Sequence, residues 1–497
     1  MAAATVLPLV HLLIRAFEAD DPVALVVSSR VLRFLWATVG LGATVTVAAL
    51  MIGVGVAWLL ERTDLPARGV LSVAAVLPLV VPTYVGALAL LAAFGPAGLA
   101  FELRWLIGFW GAAVALTLST FPYVLLPVRS ALATADPSLE EAAQALGDDR
   151  RTAFRRVVLP QVRPAAAAGA LLVFLYVLSD FGAVAIMRYD TLTRGIFLEY
   201  RSSFNRAPAA VLGVLLVLLT LLAVAVERRM RGRPVARSAA STGGSCRPIR
   251  LGAWRWPAFA LVAAIVLSGV GVPIGVLTYW GFRGASRADG DAIVVAIGTS
   301  TGLSLAAAGA AVVIALPVAV LAVRHRSRFS RMVETLATAG YALPGLVVAL
   351  ALVFFAARYV DPLHQTFAIV VAAYVVRFFP EALGAVRSSL VRVDPVLEEA
   401  ARSLGRTRLE LTRTVTLPLL RGGIVAGAAL VFLTAMKELP ATLLLLPAGS
   451  DTLATLVWTG AAEGRYAQAA PPALLVVAIS ALVLWPLDRV RDRRSGR

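Results

Sequence analysis

EAAQALGDDRRTAFRRVVLP, residues 141–160, and EAARSLGRTRLELTRTVTLP, residues 399–418, are one pattern written twice, 258 positions apart. Each follows an Asp-Pro dipeptide, Asp136-Pro137 or Asp394-Pro395. That pair supplies an N-cap oxygen and then a residue whose φ is already set for the first helical position. Glu140-Glu141 and Glu398-Glu399 come next, where the positive end of a helix dipole favours them. A short helix is therefore expected to begin at each Asp-Pro and to run through Ala142-Ala143 or Ala400-Ala401. It should stop at Gly147 or Gly405, because a residue without Cβ can adopt the left-handed conformation that ends helices. A mixed basic and apolar stretch follows, Arg150–Val158 or Arg406–Val415, and then Leu159-Pro160 or Leu417-Pro418, which is expected to open the next apolar segment. The product is a bent element of two short helices. One copy could be no more than a loop satisfying its own backbone. Two copies, with alanines that allow close approach, point to a rigid element that a partner's groove could push or pull.

The repeat extends outward from these stretches. Phe121-Pro122 and Val128-Arg129-Ser130 recur as Phe379-Pro380 and Val386-Arg387-Ser388 in the same register. With 59% hydrophobic residues over 497 positions, 15% charged residues and a mean hydropathy of +0.84, the surroundings of both copies are lipid-like. Apolar runs long enough to cross about 30 Å of hydrocarbon fall near residues 2–17, 36–60, 70–95, 106–128, 164–187, 209–226, 254–280, 292–323, 333–357, 365–386, 421–446 and 470–486. The expected fold is thus all-α and membrane-embedded, with about twelve transmembrane helices in two homologous halves. The first run is short and carries His11 and Arg15, so it is either a thin tilted span or one lacking upstream residues. The acidic Glu18, Asp20 and Asp21 that follow it argue against a cleaved signal peptide.

Arginine-rich segments at 61–69, 129–163, 227–253, 324–331, 387–421 and 487–497 are expected in the cytoplasm by the positive-inside rule. The more acidic 18–28, 358–364 and 447–465 then lie outside, and both termini inside. Domain boundaries follow: a first membrane domain at 1–226, an Arg-, Ser- and Gly-rich linker at 227–253, and a second membrane domain at 254–497.

The net charge of +17 sits between apolar spans and not on an aromatic-interleaved soluble surface, so topology accounts for it better than nucleic acid does. Lys437 is the single lysine and no glycine-rich phosphate loop precedes it, so the chain is not expected to hydrolyse ATP. One cysteine, Cys246, allows no internal disulfide, and His11, His325 and His364 lack metal-ligand spacing. No metal, cofactor or catalytic residue is assigned.

Charges within spans usually face a partner or a cavity. Asp180, beside Ser179, shares its repeat register with Glu438, beside Lys437, and both acids are expected two-thirds of the way through the fifth span of their halves. These four are candidate passage residues, or else neutralise neighbouring helices. Arg377 and Glu381 read as a membrane-boundary residue and its partner, and stay out of the site.

The pattern E-A-A-x3-G-x9-V-x-L-P at Glu141–Pro160 and Glu399–Pro418 resembles the EAA loop of binding-protein-dependent ABC importer permeases. That resemblance covers nearly the whole chain. It implies a type I importer permease fold (MetI-like) and a bacterial cytoplasmic (inner) membrane location. It implies that Glu141, Ala142, Ala143, Gly147, Pro160 and Glu399, Ala400, Ala401, Gly405, Pro418 form the coupling loops that dock on an ATP-binding subunit. Two copies of an ABC ATPase and a periplasmic or lipid-anchored solute-binding protein are the implied partners. Lys437–Leu445 with Asp451–Thr455, matched in the first half by Ser179–Gly182 and Asp190–Thr193, is similar to fused ferric-iron permeases. Permeases for thiamine, phosphonates or polyamines share much of this pattern. A secondary transporter driven by an ion gradient would also give twelve helices with buried acids, but has no need of twin docking helices. A membrane enzyme would need a clustered nucleophile, base or metal set.

Overall fold

The computed structural model describes residues 2–96, 98–135, 137–202, 206–230, 248–284, 289–325, 327–328, 330, 332–333 and 343–495. Helices dominate them, and the only β-like pairing among them is an isolated bridge between Thr63 and Ile249. Nine helices among the described residues are long and apolar enough to cross a bilayer. A further apolar pair of helices, Arg68–Val80 followed by Thr83–Phe94, is bent by 96° at the break between them. The apolar helices Val6–Phe17, Gly345–Tyr359 and Leu453–Ala462 are shorter. The chain is a multi-pass membrane protein, but its apolar runs do not map one-to-one onto twelve straight spans. The run at 70–95 is broken because Pro82 takes an extended backbone (φ −58°, ψ 144°) just before Thr83. Pro344 does the same before Gly345 (φ −59°, ψ 134°). Part of the expected span at 333–357 (residues 334–342) and most of the 227–253 linker, Cys246 included, lie outside the described residues.

The residues form two compact units, 27–195 with 218–282, and 1–26 with 196–217 and 283–497. These units are not the two sequence halves. The helix Ala2–Phe17 packs on Gly345–Tyr359 in the unit built mainly from the second half. Gly252–Gly284 belongs with the first half, where Gly269 lies against Pro78 and the Trp280 indole donates to the Ala92 carbonyl at 3.0 Å. Contiguity in sequence could not reveal this exchange.

Three helices make the centre of each unit. In the first half they are Ser29–Arg62, Phe109–Thr134 and Phe154–Ser179. In the second they are Gly290–Arg324, Phe367–Leu390 and Thr412–Met436. Lipid tails are as apolar as leucine, so close approach at small residues, and not hydrophobic burial, brings such helices together. A Cβ on Gly169 would lie 2.7 Å from Val124 Cα. At the same repeat positions, a Cβ on Gly427 would lie 3.3 Å from Ala382 Cα. Apolar side chains such as Leu32, Trp36, Val47 and Met51 stay exposed on the outer side of Ser29–Arg62, as contact with lipid requires.

Candidate coupling loops and buried acids

Both loops have the predicted short first helix, Pro137–Ala145 and Pro395–Ser403. Asp394 caps the second by accepting from the Val396 amide at 3.0 Å. Asp136 lies outside the described residues. Each helix ends at its glycine in the left-handed region, φ +100° at Gly147 and φ +78° at Gly405. The closing hydrogen bonds match: Gly147 N to Gln144 O (3.0 Å) and Asp148 N to Ala143 O (3.1 Å) in one, Gly405 N to Arg402 O (2.9 Å) and Arg406 N to Ala401 O (3.2 Å) in the other. A second helical turn begins at Arg150 or Arg408.

The Leu-Pro pairs do not open a new helix. Helix runs unbroken from Arg150 to Ser179 and from Arg408 to Met436, and Pro160 and Pro418 sit inside it. A π-turn directly precedes each, Phe154–Val158 and Thr412–Thr416. A proline in a regular helix clashes with the carbonyl four residues back and removes a donor. The wider turn absorbs that conflict, so each loop runs on into its membrane helix without a break.

The side chains of the loop helices divide into two sets. Glu141 and Glu399 are exposed, as are Ala142 and Ala400, while Ala143 is half-buried and Ala401 buried. Leu146 and Leu404, next to the glycines, are 90% and 82% exposed. The same exposed leucine thus stands at the same place in both loops. In contrast, Glu140 turns inward to Arg62 (Nη1 to Oε2, 2.9 Å) and Glu398 to Arg324 (Oε1 to Nη2, 3.2 Å). Sequence reasoning noted the paired glutamates without separating their roles; the signal was the arginine at the end of each long helix.

The four candidate passage residues lie at helix breaks and not inside spans. The helices expected to contain Asp180 and Glu438 end at Ser179 and Met436, and each acid starts a short helix, Gly182–Ile186 or Pro440–Leu445. The breaks arise because the carboxylate caps the next turn: Ala183 N donates to Asp180 Oδ1 at 3.0 Å, and Ala441 N to Glu438 Oε1 at 3.1 Å. The second oxygens differ. Asp180 Oδ2 accepts from the Thr83 hydroxyl at 2.5 Å, and Glu438 Oε2 is paired with Arg377. Lys437 has Glu381 as electrostatic neighbour, and Glu381 accepts from the Thr434 hydroxyl at 3.0 Å. Arg377 and Glu381, set aside in the sequence, therefore join this cluster. Ser179 closes its helix. The motif threonines that follow also build helix starts. Thr452 and Thr455 cap each other, and the amides of Leu192 and Leu453 donate to hydroxyls on the first long helices, Thr38 (2.9 Å) and Ser300 (2.8 Å). No group of three potential metal ligands occurs among the described residues.

A family model described as the binding-protein-dependent transport system inner membrane component matches the chain twice, over residues 39–233 and 311–494. The chain is 35% identical over 492 residues to an Fe(3+)-transport system permease protein of Haemophilus influenzae, covering 97% of this chain and 95% of that one. It is 25% identical over 442 residues to a ferric transport system permease protein of Actinobacillus pleuropneumoniae, 82% of this chain and 64% of that one. A sulfate transport system permease protein of Escherichia coli is 33% identical over 191 residues, 36% of this chain and 68% of that one.

Proposed function

Because the chain belongs to the binding-protein-dependent transport system inner membrane component family, with that domain present twice in one polypeptide, we propose that it forms the whole membrane pathway of an ATP-driven importer of ferric iron. As a permease it is not itself an enzyme, and the system it serves includes a binding protein and an ATPase. The finer assembly proposed is one copy of this chain in the bacterial inner membrane, both termini cytoplasmic. One ATPase subunit docks on each loop, and a periplasmic or lipid-anchored binding protein delivers the solute. Residues 1–226 and 254–497 are each one permease domain, joined by the linker.

The observation that carries this reading is the paired display of an exposed glutamate, an exposed small residue and an exposed leucine on two short helices, each continuous with a membrane helix through a π-turn. Glu141, Ala142, Ala143, Gly147 and Pro160, with Glu399, Ala400, Ala401, Gly405 and Pro418, are the coupling set. Alternating access would follow when the ATPases close and carry the two loops with them. Asp180 and Glu438 are already engaged by donors, which supports a role in holding the helix breaks beside the passage more than one in coordinating cargo. Iron is supported by the near full-length similarity to the Haemophilus protein, whereas the sulfate permease matches about a third of the chain.

The test is uptake of radiolabelled ferric iron, delivered by the binding protein, into proteoliposomes with ATP inside or absent. ATP-dependent entry is expected. Entry without ATP would make the chain a gradient-driven transporter. Binding-protein-stimulated hydrolysis without iron entry would keep the permease and redirect the cargo, to an oxyanion such as sulfate or to thiamine, phosphonates or polyamines.

A further inference from the structure

Neighbouring residues on a helix point about 100° apart, so Glu140 and Glu141 cannot serve one face, nor can Glu398 and Glu399. The outer glutamate of each pair is accounted for by docking. The inner one is held by an arginine that ends the longest helix of its unit, Ser29–Arg62 or Gly290–Arg324. We propose that the ion pairs Arg62 with Glu140 and Arg324 with Glu398 are the ties through which each coupling helix moves the helix core of its unit, an inference that rests on the coupling reading above.

Three features separate these contacts from ordinary surface pairs, which contribute little. They are shielded: side-chain exposure is 5% for Arg62 and 14% for Glu140, 16% for Arg324 and 8% for Glu398. They are anchored: Arg324 Nη2 also donates to the Val393 carbonyl at 3.0 Å, one residue before the Asp394 cap, and so grips both the entrance and the first turn of its loop helix. In the first loop, the helix end carrying Arg62 is fixed by Ile249, whose amide donates to the Arg62 carbonyl at 2.8 Å beside the Thr63–Ile249 bridge. They are also repeated across a change in spacing, with 78 residues between the partners in one half and 74 in the other. A four-residue difference in the intervening chain would shift a fortuitous pair out of reach.

The mechanical consequence is specific. The π-turn joins each loop to the helix that follows it, Phe154–Ser179 or Thr412–Met436, while the arginine joins it to a helix far earlier in the chain. A loop held at both places displaces two of the three central helices together. Held only by the π-turn, it could rock without moving the other.

The test uses the full chain with its ATPase and binding protein in proteoliposomes, reading the factor by which the binding protein stimulates hydrolysis. This readout does not require the cargo to be known. Arg62→Gln combined with Arg324→Gln is expected to lower that factor at least about fivefold, the lower edge of ordinary coupling energies, with basal hydrolysis and ATPase co-purification unchanged. Each contact runs through one guanidinium nitrogen, so Arg62→Lys with Arg324→Lys should restore most of the stimulation. A purely structural role would lower basal hydrolysis and stimulation together and would overturn the proposal. So would glutamine variants that stimulate like wild type, or lysine variants as poor as glutamine. If the arginine variants fail to reach the membrane, Glu140→Gln with Glu398→Gln carries the test: lost stimulation at unchanged basal hydrolysis is expected, and wild-type stimulation, or a joint fall of both, would overturn the proposal. A wild-type chain without any stimulation would instead defeat the coupling reading itself.

Discussion

The two halves agree at their short loop helices and diverge at the helix breaks that carry the buried acids. Their loops share glycine, π-turn and ion pair. Their buried acids share a capping role, yet each half satisfies the second carboxylate oxygen by a different route. In the first half a Thr83 hydroxyl reaches Asp180. Directly after its helix-breaking proline, where the first half has Pro82-Thr83, the second half has Pro344-Gly345, and the absent side chain leaves the space that the Arg377 guanidinium occupies on its way to Glu438. Ser119 stands in the repeat register of Arg377, and Tyr123, its ring tilted against that of Tyr176, in that of Glu381. The second half thus has an ionic network where the first has hydroxyls and rings. On the proposed function the outer device has to fit a partner twice, whereas the inner one needs only to satisfy its own polar atoms. This difference teaches that symmetry is kept where something external reads it.

The sharpest way to break the comparison is to remove one partner of each inner pair. Arg377→Leu leaves Glu438 buried without its cation and should destabilise the chain by about 3–5 kcal/mol, read as a fall in the melting temperature of the detergent-solubilised protein. Thr83→Val removes only a hydroxyl from Asp180 and should cost about 1.5–3 kcal/mol. Equal costs would mean that the two routes are equivalent after all.

Between these lies the loop turn. Gly147→Pro or Gly405→Pro forces φ from its positive value to near −65° and deletes the amide that closes the helix, at about 3 kcal/mol or more. Both variants should insert normally and lose transport per ATP hydrolysed, to a similar degree in the two loops. Normal transport by both would remove the coupling assignment.

The smallest effect is a pH difference. Glu410 accepts from the Thr407 amide at 2.9 Å, and that bond, followed by the Thr407 hydroxyl, holds its carboxyl below the ordinary value. A depressed carboxyl stabilises the fold above its unfolded value, and the gain is lost as pH falls through the folded value. The Thr407 amide should therefore lose hydrogen-exchange protection, relative to its intrinsic rate, on acidification. The Thr152 amide, held more loosely by Asp149 at 3.3 Å, should change less.

Much of the outer device was legible in the sequence, because caps, glycines and prolines act locally. Asp394, Gly147 and Gly405 do what their residue types dictate. The Leu-Pro pairs misled for a related reason: a proline signals a helix start unless a π-turn absorbs it, and nothing local in Phe154–Val158 marks that turn. The positions of Asp180 and Glu438 were misplaced because hydropathy does not register a break that a buried carboxylate caps. Arg62 and Arg324 read as cytoplasmic charge, since their partners lie 78 and 74 residues away. The exchange of Ala2–Phe17 and Gly252–Gly284 between units is long-range packing, which periodicity cannot express.

The central claim is that two equivalent loops each dock an ATPase subunit. Leu146→Cys and Leu404→Cys, made separately in a chain carrying Cys246→Ser, place a thiol at an exposed position just past the end of each loop helix. Cross-linking to the co-purified ATPase should succeed from both positions, and the double variant should capture two ATPase subunits per permease. Capture from one loop only, or from neither, would contradict it.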